Sequence, residues 1–336
     1  MNEDALDSVG RVIHGGKPNS GILDFSANTN PLVPDGVERV YREAFEPARR
    51  YPPEPPTAFR EAAGEYVGCD PDLVVPTPGG LAAIRLAVQL VVEPGDRVLV
   101  EAPSFGEYAR EVRLAGGTPE FRPPESILEA APAEYALAIL CTPNNPTGDL
   151  IDREVLADFA RRCRERGTVL LVDEAFLGFT DQASMAGVDG VVVARSLTKL
   201  FGLPGLRAGF LVAPGDIGDR LAVARRPWNL SVPALETGTF CMGRTDFVAA
   251  TRERVRRERA RLLEALAEDF DVRDSRAPFL LVDVGERDVD AVLEAARDRG
   301  LALRDARTFR GLDSHVRVAV RLPAENDRLL EVLADV

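Results

Sequence analysis

Through about its first two thirds the chain alternates short apolar runs, each stopping at a turn or polar residue, with longer stretches whose apolar residues recur at three and four positions. The runs have the form of buried strands and the longer stretches that of helices, and strands alternating with helices lead to a wound α/β sheet. The pattern predicts strands at Leu73–Pro76, Arg97–Glu101, Ala136–Cys141, Val169–Val172, Val191–Arg195 and Gly209–Val212, with a weaker one near Pro119–Phe121. Helices are expected at Leu81–Val92, Ser104–Leu114 and Arg153–Arg166.

After about Pro227 the texture changes. A long Arg/Glu-rich helical stretch, Asp246–Glu268, leads to β-like Phe279–Val284, a helix at Val289–Arg299 and β-like Val316–Arg321. The 336 residues suit one large and one smaller domain. The expected division is an arm over 1–31, a large α/β domain over 32–226 and a smaller α+β domain over 227–336.

The formal net charge of −13 opposes binding to nucleic-acid phosphates, and no Lys/Arg block offsets it. No run approaches the ~18 apolar residues of a membrane span, and the opening MNEDALDSVG is acidic where a signal peptide is basic, so a cytoplasmic location is expected. Lys17 and Lys199 are the only lysines. An acidic, lysine-poor surface suits concentrated salt, and a GC-rich genome favouring arginine codons accounts for it equally well. Cys69, Cys141, Cys163 and Cys241 have neither paired spacing nor a histidine cluster, so neither a disulfide framework nor a zinc site is expected.

Ligands of wound sheets sit beyond the carboxyl ends of the strands, and four motifs fall there. Thr77-Pro78-Gly79-Gly80 precedes a helix, where small residues let backbone N–H groups approach a phosphate; taken alone it is equally a plain turn. Asn144 and Asn145, set between prolines, form a stiff loop able to present an amide. Asp173 closes a buried strand, where a carboxylate needs a cation or donors, or else caps a helix. Lys199, in Ser196-Leu197-Thr198-Lys199, stands between hydroxyls and an arginine eight residues on, Arg207, a placement that surface chance explains poorly in a chain with two lysines.

With N-P-T-G, D-E-A and S-x-T-K…G-x-R-x-G in this order, the chain resembles, over essentially its whole length, the fold-type I enzymes that use pyridoxal 5′-phosphate (PLP), the aminotransferase class I/II group. The resemblance implies a seven-stranded, mostly parallel sheet and a homodimer with shared sites. It implies that Lys199 holds PLP as an imine, that Asp173 pairs with the pyridine nitrogen and that Asn145 bonds the phenolic oxygen. Ser196 and Arg207 would hold the phosphate with Gly79, Gly80 and the backbone of Leu81, where relatives usually carry polar residues. Phe105 would stack on the ring, or else be a core aromatic, and Tyr51 would reach the other subunit's phosphate.

PLP chemistry is directed by which α-carbon bond stands perpendicular to the ring, and therefore by the grip on the substrate's charged ends. Arg304, Arg317 and Arg321 resemble the family's substrate-binding arginines, with surface salt bridges as the alternative for each. His14-Gly15-Gly16, the arm Leu23–Pro31 with Asn28, Phe176 in place of the usual tyrosine, Pro227-Trp228 and Gly311–Arg321 resemble the branch containing threonine-phosphate decarboxylases of cobalamin synthesis. Histidinol-phosphate aminotransferases are near relatives of that branch. A small phosphorylated amino-acid substrate and decarboxylation are expected, with transamination as the alternative. A regulator using the fold as a sensing domain would need a basic DNA-binding module, and the arm is short and acidic.

Overall fold

A computed structural model describes residue 5, residues 9–16 and residues 21–335; Lys17 and most of the first eight residues of the expected arm lie outside the described residues. The arm carries a two-residue strand, β1 (Leu23–Asp24), and is followed by helices α1 (Val37–Glu43) and α2 (Thr57–Val67). Seven strands then make one sheet: β2 (Val74–Thr77), β3 (Arg97–Glu101), β4 (Thr118–Arg122), β5 (Leu137–Cys141), β6 (Val169–Asp173), β7 (Val191–Ser196) and β8 (Gly209–Val212). Their order is β2-β8-β7-β6-β5-β3-β4. All neighbours are parallel except β8, which is antiparallel to both β2 and β7.

Helices α3 (Gly80–Val91), α4 (Glu107–Ala115) and α5 (Arg153–Glu165) connect and cover these strands, and α6 (Gly215–Ala224), which follows β8, packs against α3. Crossovers on both faces leave neither face to water, which is why β5 reads as an unbroken apolar run. Leu137 and Ile139 pack into the core with Ile84 and Val112, while Ala138 and Leu140 pack on the opposite face with Leu156 and Phe159. The seven expected strands are all present, in an α/β fold of the expected class.

The chain continues through α7 (Val232–Met242) and α8 (Thr245–Leu266) to β9 (Asp271–Val272), β10 (Phe279–Asp283), α9 (Val289–Asp298), β11 (Leu301–Ala302), β12 (Arg304–Asp305), β13 (His315–Ala319) and α10 (Pro323–Leu333). Strands β12, β13, β10 and β9 form an antiparallel sheet in that order. Strand β1 pairs in parallel with β11, and Phe25 exchanges backbone bonds with Ala302 (2.8 Å) and Ala319 (3.0 Å), pinning the arm to this second unit.

Three local readings differ from the structure. The helix expected from Ser104 starts at Glu107, so Phe105 projects from a loop. The strand expected to reach Arg321 stops at Ala319, because Leu322-Pro323 opens α10 and the Glu325 side chain accepts from the Leu322 N–H. Helix α7 follows the change of texture at Pro227 yet packs against α1 and α2. No described helix is long and apolar enough to cross a membrane.

Candidate active site

Because β3, β5, β6 and β7 run the same way, their carboxyl ends open on one edge, and a cavity of about 340 Å³ lies there. Lys199, three residues beyond β7, enters it, with Ser196 and Thr198 hydroxyls 2.8 Å apart beside it. Burial, then the positive charges of Arg317 and Arg207, push the lysine down to about 8, against a weaker pull from Asp173. The free amine is therefore far more populated near neutrality than for an ordinary lysine, and predominates above about pH 8.

Asp173 ends β6 and lines the same cavity. Its Oδ1 accepts from the Ala175 N–H at 2.9 Å and its Oδ2 from the Tyr108 hydroxyl at 2.7 Å. Burial raises its pKa while these two donors, Arg195 and Lys199 hold the rise back. The helix-cap alternative is met only by the turn bond to Ala175, since the next element is a three-residue 3-10 turn, Leu177–Phe179.

Gly79 has φ +91°, and a Cβ there would stand 2.6 Å from Arg207 Nη2; at Gly80 it would meet Ser196 Cβ at 3.3 Å. The turn is thus a cradle closed by Arg207 and Ser196 at the start of α3, whose first N–H groups lack intrahelical partners. Arg207 itself adopts φ +54°, a left-handed conformation that costs a non-glycine residue about 1–3 kcal/mol. Leu81 lines the cavity beside it.

From the second unit, Arg304 and Arg317 reach the opposite wall, both buried and neither within ion-pair distance of a carboxylate among the described residues. The surface-salt-bridge alternative therefore fails for both. Arg317 donates to Asn145 Oδ1 and, at 2.9 Å, to the Ser26 carbonyl, while its Nε has no partner among the described residues. Burial and then Arg304 push Arg317 down to about 9. Arg304 donates to Thr308 Oγ1 at 2.8 Å and to the Ile13 carbonyl of the arm.

The arm brings His14 and Asn28 to the cavity; His14 Nε2 lies 2.8 Å from the buried Glu107 carboxylate, and Asn28 Oδ1 is buried without a partner among the described residues. Phe105 and Phe176 form aromatic walls. Two expected residues are not brought in. Arg321 lies outside the cavity, forked onto Glu325 at 3.1 Å and donating to the Asp24 carbonyl, so its charge is used to fasten the arm to α10. Tyr51 is 79% exposed on the surface, its ring 4.6 Å from that of Trp228 and outside its own chain's cavity.

Sequence reasoning missed Tyr108, Glu107, Ser26 and Phe309. Tyr108 carried a usable signal: it stands three residues after Phe105, and the two rings meet edge to face at 5.5 Å.

A near-neutral lysine, a buried carboxylate across the same cavity and a glycine cradle closed by an arginine fit the aldehyde, ring nitrogen and phosphate of PLP, and define a PLP-dependent enzyme. The chain belongs to the aminotransferase class I and II family, whose model matches residues 19–333. It is 31% identical over 333 residues to histidinol-phosphate aminotransferase 2 of Archaeoglobus fulgidus, covering 95% of this chain and 94% of that protein. It is likewise 31% identical over 334 residues to the threonine-phosphate decarboxylase of Salmonella typhimurium, covering 94% and 91%. The crystal structure of L-threonine-O-3-phosphate decarboxylase from Porphyromonas gingivalis superposes with a TM-score of 0.85 at 26% identity, covering 94% and 99%. Further relatives are more often histidinol-phosphate aminotransferases than threonine-phosphate decarboxylases, so by relatives the transaminase alternative has more support than the decarboxylation expected from the sequence.

Proposed function

We propose that the chain decarboxylates L-threonine O-3-phosphate, releasing carbon dioxide and leaving (R)-1-aminopropan-2-yl phosphate for cobalamin synthesis. PLP, when bound, supplies an electron sink for the pair left at the substrate's α-carbon. Lys199 would hold its aldehyde carbon, Asp173 its pyridine nitrogen and Asn145 its phenolic oxygen. Ser196, Arg207 and the backbone of Gly79, Gly80 and Leu81 would hold its phosphate, Phe105 would cover the ring, and Tyr51 would reach the phosphate of a second copy in a homodimer. The arm over 1–31 and the units 32–226 and 227–336 are the domains that would close around it.

The observation that carries the reading is the pair Arg304 and Arg317, buried opposite each other on neighbouring strands with no carboxylate within ion-pair distance among the described residues, next to His14 and Asn28. Two guanidinium forks match a phosphate dianion. With the phosphate held there, the α-carboxylate has no arginine clamping it in the ring plane and can stand perpendicular to it, the orientation in which the bond to carbon dioxide breaks. Phe176 supports the same reading: it is 5% exposed on the cavity wall, edge to face with Phe279, and offers the ring oxygen no hydroxyl.

Transamination of histidinol phosphate is the second reading, favoured by the names of the relatives; its phosphate would take the same two arginines. Holoprotein incubated with threonine phosphate and no keto acid is expected to yield carbon dioxide and aminopropanol phosphate. Absence of both, with turnover of histidinol phosphate once a keto acid is added, would reverse the order.

A further inference from the structure

Tyr108 sits on the first turn of α4, wholly buried against the sheet among Val100, Val112 and Leu171. Phenylalanine would supply the same apolar packing, and burying a hydroxyl is costly unless it finds a partner. Here the partner is Asp173 Oδ2, at 2.7 Å. The other oxygen, Oδ1, is taken by the Ala175 N–H, so the carboxylate is held at both ends with its plane set. Cys141, paired in register with Asp173 across β5 and β6, completes the surroundings, with its thiol 3.3 Å from the Pro143 carbonyl. No motif in the sequence assigned Tyr108 any part in the site.

We propose that Tyr108 is a positioning residue for the cofactor: by donating to Asp173 it keeps that carboxylate charged and aimed at the pyridine nitrogen, so that the shared proton stays on the ring. The inference rests on the pairing of Asp173 with that nitrogen. A buried carboxylate that loses a donor holds its charge less well, and the proton moves from the pyridine toward the carboxylate. The effect lies in the electronic state of the cofactor and is independent of which substrate is used.

The test is the nitrogen-15 shift of PLP labelled at the pyridine nitrogen, bound to the wild type, Tyr108→Phe, Tyr108→His and Asp173→Asn. Wild type is expected to show the protonated nitrogen and Y108F a shift toward the unprotonated one. Loss of one charge-assisted hydrogen bond is expected to speed PLP release about tenfold and lower kcat by about tenfold, with KM within about twofold. Y108H, which restores a donor, should recover the protonated signal, and would carry the test if Y108F failed to fold. A Y108F protein that keeps the protonated nitrogen and wild-type PLP retention, losing only thermal stability, would overturn the proposal. If D173N also keeps the proton, the pairing of Asp173 with the ring nitrogen fails first, and the inference with it.

Discussion

The backbone N–H of Asn30, on the arm, donates to the carbonyl oxygen of Lys199 at 2.9 Å. The Asn30 side chain donates to the Leu200 carbonyl (2.8 Å) and to Thr251 Oγ1 (3.2 Å), and accepts from Arg254 (2.7 Å), so one buried amide joins the arm, the lysine segment and α8. Asn30→Ala removes these three side-chain bonds, leaving Arg254 with the Arg321 carbonyl alone among the described residues, and is expected to cost about 2–4 kcal/mol. Denaturant unfolding of the apoprotein measures it; an unchanged midpoint would mean water replaces the amide without penalty.

On the proposed function, Lys199 would capture PLP as the free amine. Since burial, Arg317 and Arg207 push its pKa down to about 8, PLP uptake by the apoprotein should accelerate with pH up to about that value and level off above it. Replacing Arg317 by Gln removes one of the charges and should move the midpoint upward. The same shift makes the unfolded chain bind the extra proton between about 8 and 10.5, so this group's contribution to stability rises with pH across that window. Stopped-flow absorbance reads the uptake, and a rate that keeps climbing into the ordinary lysine range would contradict the assigned environment.

Gly79→Ala places a methyl 2.6 Å from Arg207 Nη2 on a backbone with φ +91°. The guanidinium can swing aside, but the left-handed backbone cannot relax, so about 1–3 kcal/mol of stability should be lost. Displacement of Arg207 should weaken PLP binding more than tenfold, since a charge-assisted phosphate contact goes with it. Equilibrium titration with PLP gives the second figure, and wild-type affinity would show that the turn does not cradle the phosphate.

Glu174 accepts from Arg195 (3.2 Å), Ser184 (2.6 Å) and the Met185 N–H (2.8 Å), and both Glu174 and Arg195 are buried. Removing the carboxylate in Glu174→Ala takes away the ion-pair partner of a buried guanidinium, which is expected to cost about 3–5 kcal/mol. Calorimetry of the variant tests this, and a loss under about 1 kcal/mol would mean that the Tyr66 ring, 5.3 Å from the guanidinium carbon, suffices as a partner.

The longer strands were legible because most carry an apolar run: β3 and β8 occupy the very residues expected and β2, β4, β5, β6, β7, β10 and β13 differ by a residue or two at their ends, whereas the two-residue strands β1, β9, β11 and β12 were not expected. Helices α1, α2, α6, α7 and α10 were not. α1 and α2 lie in Pro-rich sequence, and α10 is announced by little more than Pro323 and Glu325. That the glycine turn, Asp173, Asn145, Lys199 and Arg207 gather at one cavity was legible too, since they lie at strand ends or in the loop between β7 and β8 and the chain has only two lysines.

The linear order of residues was enough to specify the wound sheet, the edge at which its loops emerge and the chemistry of the groups those loops carry, because strand periodicity and strand-end motifs are short-range properties. The meeting of Arg317 with Asn145 and Ser26, of His14 with Glu107 and of Tyr108 with Asp173 was settled by packing between distant segments. So was the removal of Arg321 to the α10 end of the arm. Such contacts depend on the register of β5 against β6 and on where the arm docks, and no local pattern encodes either.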